Sequence, residues 1–151
     1  MKSLYVYSGF VPSSIDNIRV VIKELICNIQ NYYGVLEDSI LFELKVILNE
    51  LLVNAIKHGN LEDVSKNVKI DAGIDLNDNL FIIIEDEGCG YDYDRICGCI
   101  GPFCEDTQQD ITESGRGILI LKSLCDKVRV NSKGNKTVIL KRIMRSNTLT
   151  D

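Results

Sequence analysis

The spacing of apolar positions changes several times along the chain, and each change marks an element. Leu4 to Tyr7 is short, aromatic and β-prone, which predicts an opening strand. Ser13, with Asp16 three residues on, resembles a helix-start capping box in which Asp replaces the usual Glu. Ile15, Ile18, Ile22, Leu25, Ile26 and Ile29 then recur at helical spacing until Gly34 stops the run. A second helix is predicted over Glu37 to His58, with acidic residues in its first turn and Gly59 as its stop. Val68, Ile70, Ala72 and Ile74 alternate with polar neighbours, as in a half-buried strand. Asn77-Asp78-Asn79 makes a turn, and Leu80 to Ile84 is a more continuously apolar strand. Gly88 to Gly117 reads as mostly irregular and Ile118 to Cys125 as a short helix. Lys127 to Asn131 and Thr137 to Ile143 form a last hairpin around Lys133-Gly134-Asn135. This order predicts an α+β fold: a two-layer sandwich of a mixed, mostly antiparallel sheet covered on one face by helices.

No repeat, low-complexity block or Pro/Gly/Ser-rich linker divides the chain, so residues 1–151 are expected to form one domain, with a flexible tail from about 144. Charge narrows the function classes. Seventeen Lys and Arg stand against 22 Asp and Glu, a net charge of −5, which argues against a chain built to neutralise nucleic-acid phosphates or an anionic membrane. No apolar run approaches the roughly 20 residues that span a bilayer, and Met1-Lys2-Ser3-Leu4-Tyr5 lacks an apolar signal core. A soluble cytoplasmic protein is the expectation. In a reducing compartment its six cysteines are not expected to pair. Cys27 and Cys125 lie in apolar periodic segments and read as small core residues.

The second helix carries polar groups in a suggestive place. On a wheel of about 100° per residue, Ile40, Leu41, Leu44, Ile47, Leu48, Leu51, Leu52 and Ala55 form one apolar face. Glu43, Glu50 and Asn54 share its edge, with His58 a turn further on, and Glu50 and Asn54 are neighbours four residues apart. A carboxylate at the margin of a core is partly desolvated, which suits it to accept a proton. An amide beside it offers an oxygen to a hard cation such as Mg²⁺. Taken alone, the same pattern also fits an ordinary helix with a solvated polar border, and His58 fits a packing residue near a helix end.

Two glycine-rich segments follow. The strand Leu80 to Ile84 runs into Glu85-Asp86-Glu87-Gly88-Cys89-Gly90-Tyr91-Asp92, where an Asp at a strand end and two glycines can form a pocket wall. The Asp86 carboxylate can accept a hydrogen bond from an exocyclic amine such as that of adenine. A hairpin exit or a weak calcium loop would read similarly, although the twelve-residue EF-hand spacing is absent. The second segment, Ser114-Gly115-Arg116-Gly117-Ile118-Leu119-Ile120-Leu121, opens a helix, so free N–H groups, the helix dipole and Arg116 face an anion. Neither a P-loop nor a strand-linked G-x-G-x-x-G is present.

Glu50 to Gly59, Asp86 to Asp92 and Gly115-Arg116-Gly117-Ile118, in that order, resemble the N, G1 and G2 boxes of the GHKL (Bergerat-fold) ATPases. The small size, without a dimerisation-and-phosphoacceptor hairpin, is similar to the anti-sigma-factor serine kinases, over roughly Leu4 to Ile143. The resemblance implies ATP and Mg²⁺ as cofactors. Asn54 would hold Mg²⁺ bridging the phosphates, and Glu50 would be general base for the attacking hydroxyl. Asp86 would read the adenine amine, and Gly88 and Gly90 would shape the base pocket. Gly115, Gly117 and Arg116 would meet phosphate under a lid from about Asp92 to Ser114. It further implies phosphorylation of a serine on a STAS-type anti-anti-sigma protein, sequestration of a sigma factor, and a homodimer. Glu113 and Ser114 stand where some of these kinases carry a basic residue, so a nucleotide-gated binding module without transfer activity is the alternative. A detached histidine-kinase catalytic domain is a third reading. Cys89, Cys97, Cys99 and Cys104 fall in or beside the lid at a spacing that matches no paired C-x2-C zinc pattern.

Overall fold

The computed structural model describes residues 3–88 and 117–146. β1 (Ser3–Pro12), β2 (Asn67–Asp75), β3 (Asn79–Glu85), β4 (Lys127–Val130) and β5 (Lys136–Arg142) form one sheet in the order β1-β2-β3-β5-β4. Every pairing among the described strands is antiparallel. α1 (Ile18–Tyr33), α2 (Asp38–Val53) and α3 (residues 117–124) complete the α+β sandwich.

Strand alternation sets the inner face. Val68, Ile70, Ala72 and Ile74 of β2 lie opposite or beside Leu80, Ile82 and Ile84 of β3, and all are buried. Ile82 in turn faces the buried Ile139 of β5. The helices supply the other half of this core through Leu25 and Ile29 of α1 and Leu44, Ile47, Leu48 and Leu52 of α2, each without solvent exposure.

Several boundaries differ from the sequence expectation, each for a physical reason. β1 runs to Pro12 rather than Tyr7, because its last residues pair with β2 from Asp71 back to Asn67 after an irregularity between Tyr5 and Tyr7. Pro12 is tolerated at the end of an edge strand, where its missing N–H costs no ladder bond. The cap before α1 is Ser14, whose hydroxyl accepts from the Asp16 N–H at 3.3 Å in a short 3₁₀ turn, Ile15–Asn17. Ser13, read from sequence as that cap, is buried and donates instead to the Lys66 carbonyl at 2.7 Å.

The predicted second helix has two parts. α2 ends at Val53 and continues as a π turn, Asn54–Gly59, in which the Asn60 N–H reaches the Ala55 carbonyl at 2.8 Å. This wider spacing places an extra residue in the turn and is most often found at functional sites. Cys27 was expected in the core but is exposed; Cys125 is buried, and burial pushes its thiol up to about 11, so it stays protonated. Of the span expected as a tail, residues 144–146 are tied to the helices: Arg145 pairs with Leu36, and its guanidinium lies 4.1 Å from the centre of the Tyr33 ring.

Candidate nucleotide site

Where α2 gives way to the π turn, β3 ends and α3 begins, the three motif segments converge. Asp86 follows the last residue of β3, and its main chain extends the ladder with the β4–β5 hairpin. The Asp86 N–H donates to the Asn135 carbonyl at 2.9 Å, and the Asn135 side-chain amide donates to the Asp86 carbonyl at 3.1 Å. The carboxylate itself is buried, with its residue only 8% exposed. Burial pushes its pKa up to about 6, against the lowering effect of the Gly88 N–H, which donates to Oδ1 at 2.9 Å.

Glycines let the backbone close around this carboxylate. A β-carbon on Gly59 would fall on the Asp86 carboxylate, and one on Gly88 would fall on the Gly59 carbonyl. The π turn and the exit of β3 therefore touch, main chain against main chain, with no room for a side chain between them.

Beside Asp86 a cavity of about 290 Å³ opens between the layers. Leu51, Asn54 and Ala55 line it from α2 and the π turn, and Ile84 and Asp86 from β3 and its exit. Ile118 and Leu121 of α3 form another wall, and Asn131, Gly134, Asn135 and Thr137 close it from the hairpin. A largely apolar slot with one buried carboxylate in its wall is suited to a flat heterocycle bearing an amine. Gly117, the first residue of α3, directly precedes the lining residue Ile118. A β-carbon there would lie 2.9 Å from Glu50 Oε2 and 3.4 and 3.9 Å from the Asn54 side-chain amide atoms.

The structure thus brings together Glu50, Asn54, Asp86, Gly88 and Gly117. Gly90, Gly115 and Arg116 lie outside the described residues, as do the lid and Cys89, Cys97, Cys99 and Cys104. Glu43 shares the helix edge in sequence but serves elsewhere, because the buried Lys141 Nζ binds its Oε2 at 2.9 Å. His58 is half-buried and does not line the cavity.

A family model for the histidine kinase-like ATPase domain matches residues 11–141. The chain belongs to that family. This histidine kinase-like ATPase domain is similar to the serine-protein kinase RsbW of Bacillus subtilis, with 28% identity over 134 residues, 88% of this chain and 80% of the relative. It is also 28% identical to the same kinase of Bacillus licheniformis, covering 93% and 84% of the two chains, and 27% identical to that of Staphylococcus aureus, covering 89% and 84%. Its fold matches a solved Mycobacterium tuberculosis protein containing RsbU and RsbW domains, with a TM-score of 0.63 at 15% identity. That match covers all of this chain, which spans 35% of the solved one.

The box motifs do not include Asn131 and Asn135, which the sequence pattern places only at a strand end and in the following turn. Asn131 Oδ1 accepts from the N–H groups of Asn135 and Lys136 at 3.0 and 3.1 Å, which fixes the hairpin wall of the cavity. The sequence signal was the pair of Asn residues flanking Gly134, whose φ of 79° is a left-handed conformation. No described helix is long and apolar enough to cross a membrane.

Proposed function

We propose that this chain is an ATP-dependent protein serine kinase that acts on a serine of a STAS-type anti-anti-sigma protein and sequesters a sigma factor. The observation that carries this reading is the packing of Gly117 against Glu50 and Asn54 beside a cavity that Asn54 and the buried Asp86 both line. The similarity to serine-protein kinases over most of the chain supports a serine rather than a histidine as acceptor.

The residues present suit a nucleotide. The slot between Ile84, Leu121 and Ala55 accepts the base, and the Asp86 carboxylate accepts a hydrogen bond from its exocyclic amine. Gly117 brings the N-terminus of α3, with its N–H groups and helix dipole, beside Glu50 and Asn54, where phosphate oxygens would be favoured. The donor set also suits Mg²⁺. Among the described residues no three His, Cys, Asp or Glu side chains cluster to cage a metal; Asn54 would offer the cation a neutral amide oxygen, the kind of hard donor Mg²⁺ accepts. When bound, the cation would offset the charge developing on the transferred phosphoryl group. Glu50, half-buried beside Asn54, would take the proton from the serine hydroxyl as its oxygen attacks the γ-phosphorus, whose bond to the β,γ-bridging oxygen breaks so that ADP leaves.

On the same reading the protein is a cytoplasmic homodimer. Glu50→Ala is the direct test. It should abolish transfer from radiolabelled ATP to a STAS partner while leaving ATP affinity within about twofold. Transfer at the wild-type rate would remove Glu50 from the reaction. Wild-type protein that binds Mg·ATP and a partner but transfers no phosphate would identify a nucleotide-gated binding module instead. Acid-labile phosphate on the partner would identify histidine transfer.

A further inference from the structure

The segment that carries Asp86 is held from behind by a residue outside the motifs described above. Asn60 follows the π turn and is fully buried, yet every polar group it has is engaged. Its N–H donates to the Ala55 carbonyl at 2.8 Å, and its carbonyl accepts from the Asp63 N–H at 3.0 Å. Its side-chain amide donates to Ser13 Oγ at 2.8 Å and to the Asn67 carbonyl at 3.0 Å. Its Oδ1 accepts from the Glu87 N–H at 2.8 Å. One side chain thus joins the entry to α1, the start of β2 and the exit of β3.

The Asn60–Glu87 bond is flanked on both sides by groups that shape the Asp86 carboxylate. Gly59, preceding Asn60, packs on that carboxylate. Glu87 follows Asp86, and Gly88 supplies the N–H that Asp86 Oδ1 accepts. The Glu87 carboxylate adds a second tie by accepting from the Asn67 N–H.

We propose that Asn60 is a positioning residue for base selection: through the Glu87 amide it fixes where Asp86 presents its carboxylate, and so sets the preference for an amine over a keto oxygen on the purine. This rests on Asp86 reading the base, as argued above. Removing the Asn60 side chain takes away the part-buried partner that fixes the Glu87 N–H, and frees the chain between Asp86 and Gly88 to shift toward other partners. Hydrogen bonds weaken steeply with angle, and a recognition group displaced by about 1 Å loses most of its discrimination.

Ser13 provides the control. It is as buried as Asn60 and belongs to the same network, but its side chain bonds Asn60 and the Lys66 carbonyl rather than the chain from Asp86 to Gly88. The test is titration calorimetry of the full chain with Mg·ATP and Mg·ITP, whose base carries oxygen in place of the amine. Wild type should prefer ATP, and Asp86→Ala should erase the preference. Asn60→Ala should cut it at least tenfold, mainly by weakening ATP binding. Ser13→Ala should lower Tm but keep the preference. If Asp86→Ala keeps the wild-type preference, the base-reading role of Asp86 fails, and the Asn60 proposal with it. If Asp86→Ala loses the preference while Asn60→Ala keeps it, or Ser13→Ala loses it equally, only the Asn60 proposal is overturned. Should Asn60→Ala not fold, amide exchange in the wild type decides. The Glu87 N–H should be protected without nucleotide, and rapid exchange there overturns the proposal.

Discussion

Gly59 lies flush against Asp86, so the end of the π turn and the end of β3 share a boundary that only hydrogen can occupy. Gly59→Ala is therefore expected to push the carboxylate out of its place. Because the neighbouring Gly88 contact is backbone against backbone, little of the strain can be relieved by rotating a side chain. Overpacking of this kind costs about 1–3 kcal/mol. Thermal denaturation should show a lowered Tm, and calorimetry a loss of ATP affinity of roughly tenfold or more. An alanine variant with wild-type affinity would show that the contact does not set the position of Asp86.

Asp86 gives the protein a pH signature with a definite sign. A carboxyl at 3.8 in the unfolded chain and about 6 in the folded one binds more protons when folded across that interval. Its ionisation therefore works against folding, and the penalty is absent below about pH 4 and complete above about pH 6. A shift of about two units corresponds to at most ~3 kcal/mol. Asp86→Asn is expected to stabilise the nucleotide-free protein at pH 7.5 by ~1–3 kcal/mol and to have little effect near pH 4, as measured by urea unfolding. ATP affinity of the wild type should fall as pH drops through 6, because the protonated carboxyl is the weaker acceptor. A stability difference that is flat with pH would contradict the burial of this carboxyl.

Gly117→Ala makes a different kind of change. The added carbon would meet Glu50 Oε2 at 2.9 Å, and Glu50 is a flexible side chain that can move aside. Folding should be nearly unaffected. On the proposed role of Glu50 as general base, phosphoryl transfer should drop by tenfold or more, since displacing such a group by about 1 Å is enough to disable it. A transfer assay beside a Tm measurement separates the two effects.

Lys141 is buried on the inner face of β5, where its ammonium binds Glu43 at 2.9 Å and the Leu124 carbonyl at 2.7 Å. It fastens α2 to the C-terminal end of α3. Lys141→Ala leaves the Leu124 carbonyl unpaired and opens a cavity, and is expected to cost ~2–4 kcal/mol by chemical denaturation. Glu43 remains a third exposed, which limits the cost of leaving it unpaired. Lys141→Met should lose less, because it keeps the packed stem.

Much of this fold was legible because its strongest signals are periodic. The alternation from Val68 to Ile74 and the helical repeat from Ile40 to Ala55 each identify a buried face, and burial follows them closely. Glu50, Asn54 and Asp86 were legible as an ordered set of chemical types. The length of β1 was not, since Gly9 and Pro12 disfavour strand locally and only pairing with β2 overrides them. Nor was the role of Asn60, whose partners lie 47, 7 and 27 residues away in sequence. A buried amide of that kind looks like any loop asparagine until the chain is folded around it.

The widened turn between Asn54 and Gly59 also constrains how the gene can change. Loss of a single codon there would return the helix to ordinary pitch and swing the following backbone by about 100°, carrying Gly59 off the carboxylate it touches. Exposed Lys57 can drift freely, but the number of residues in this stretch cannot.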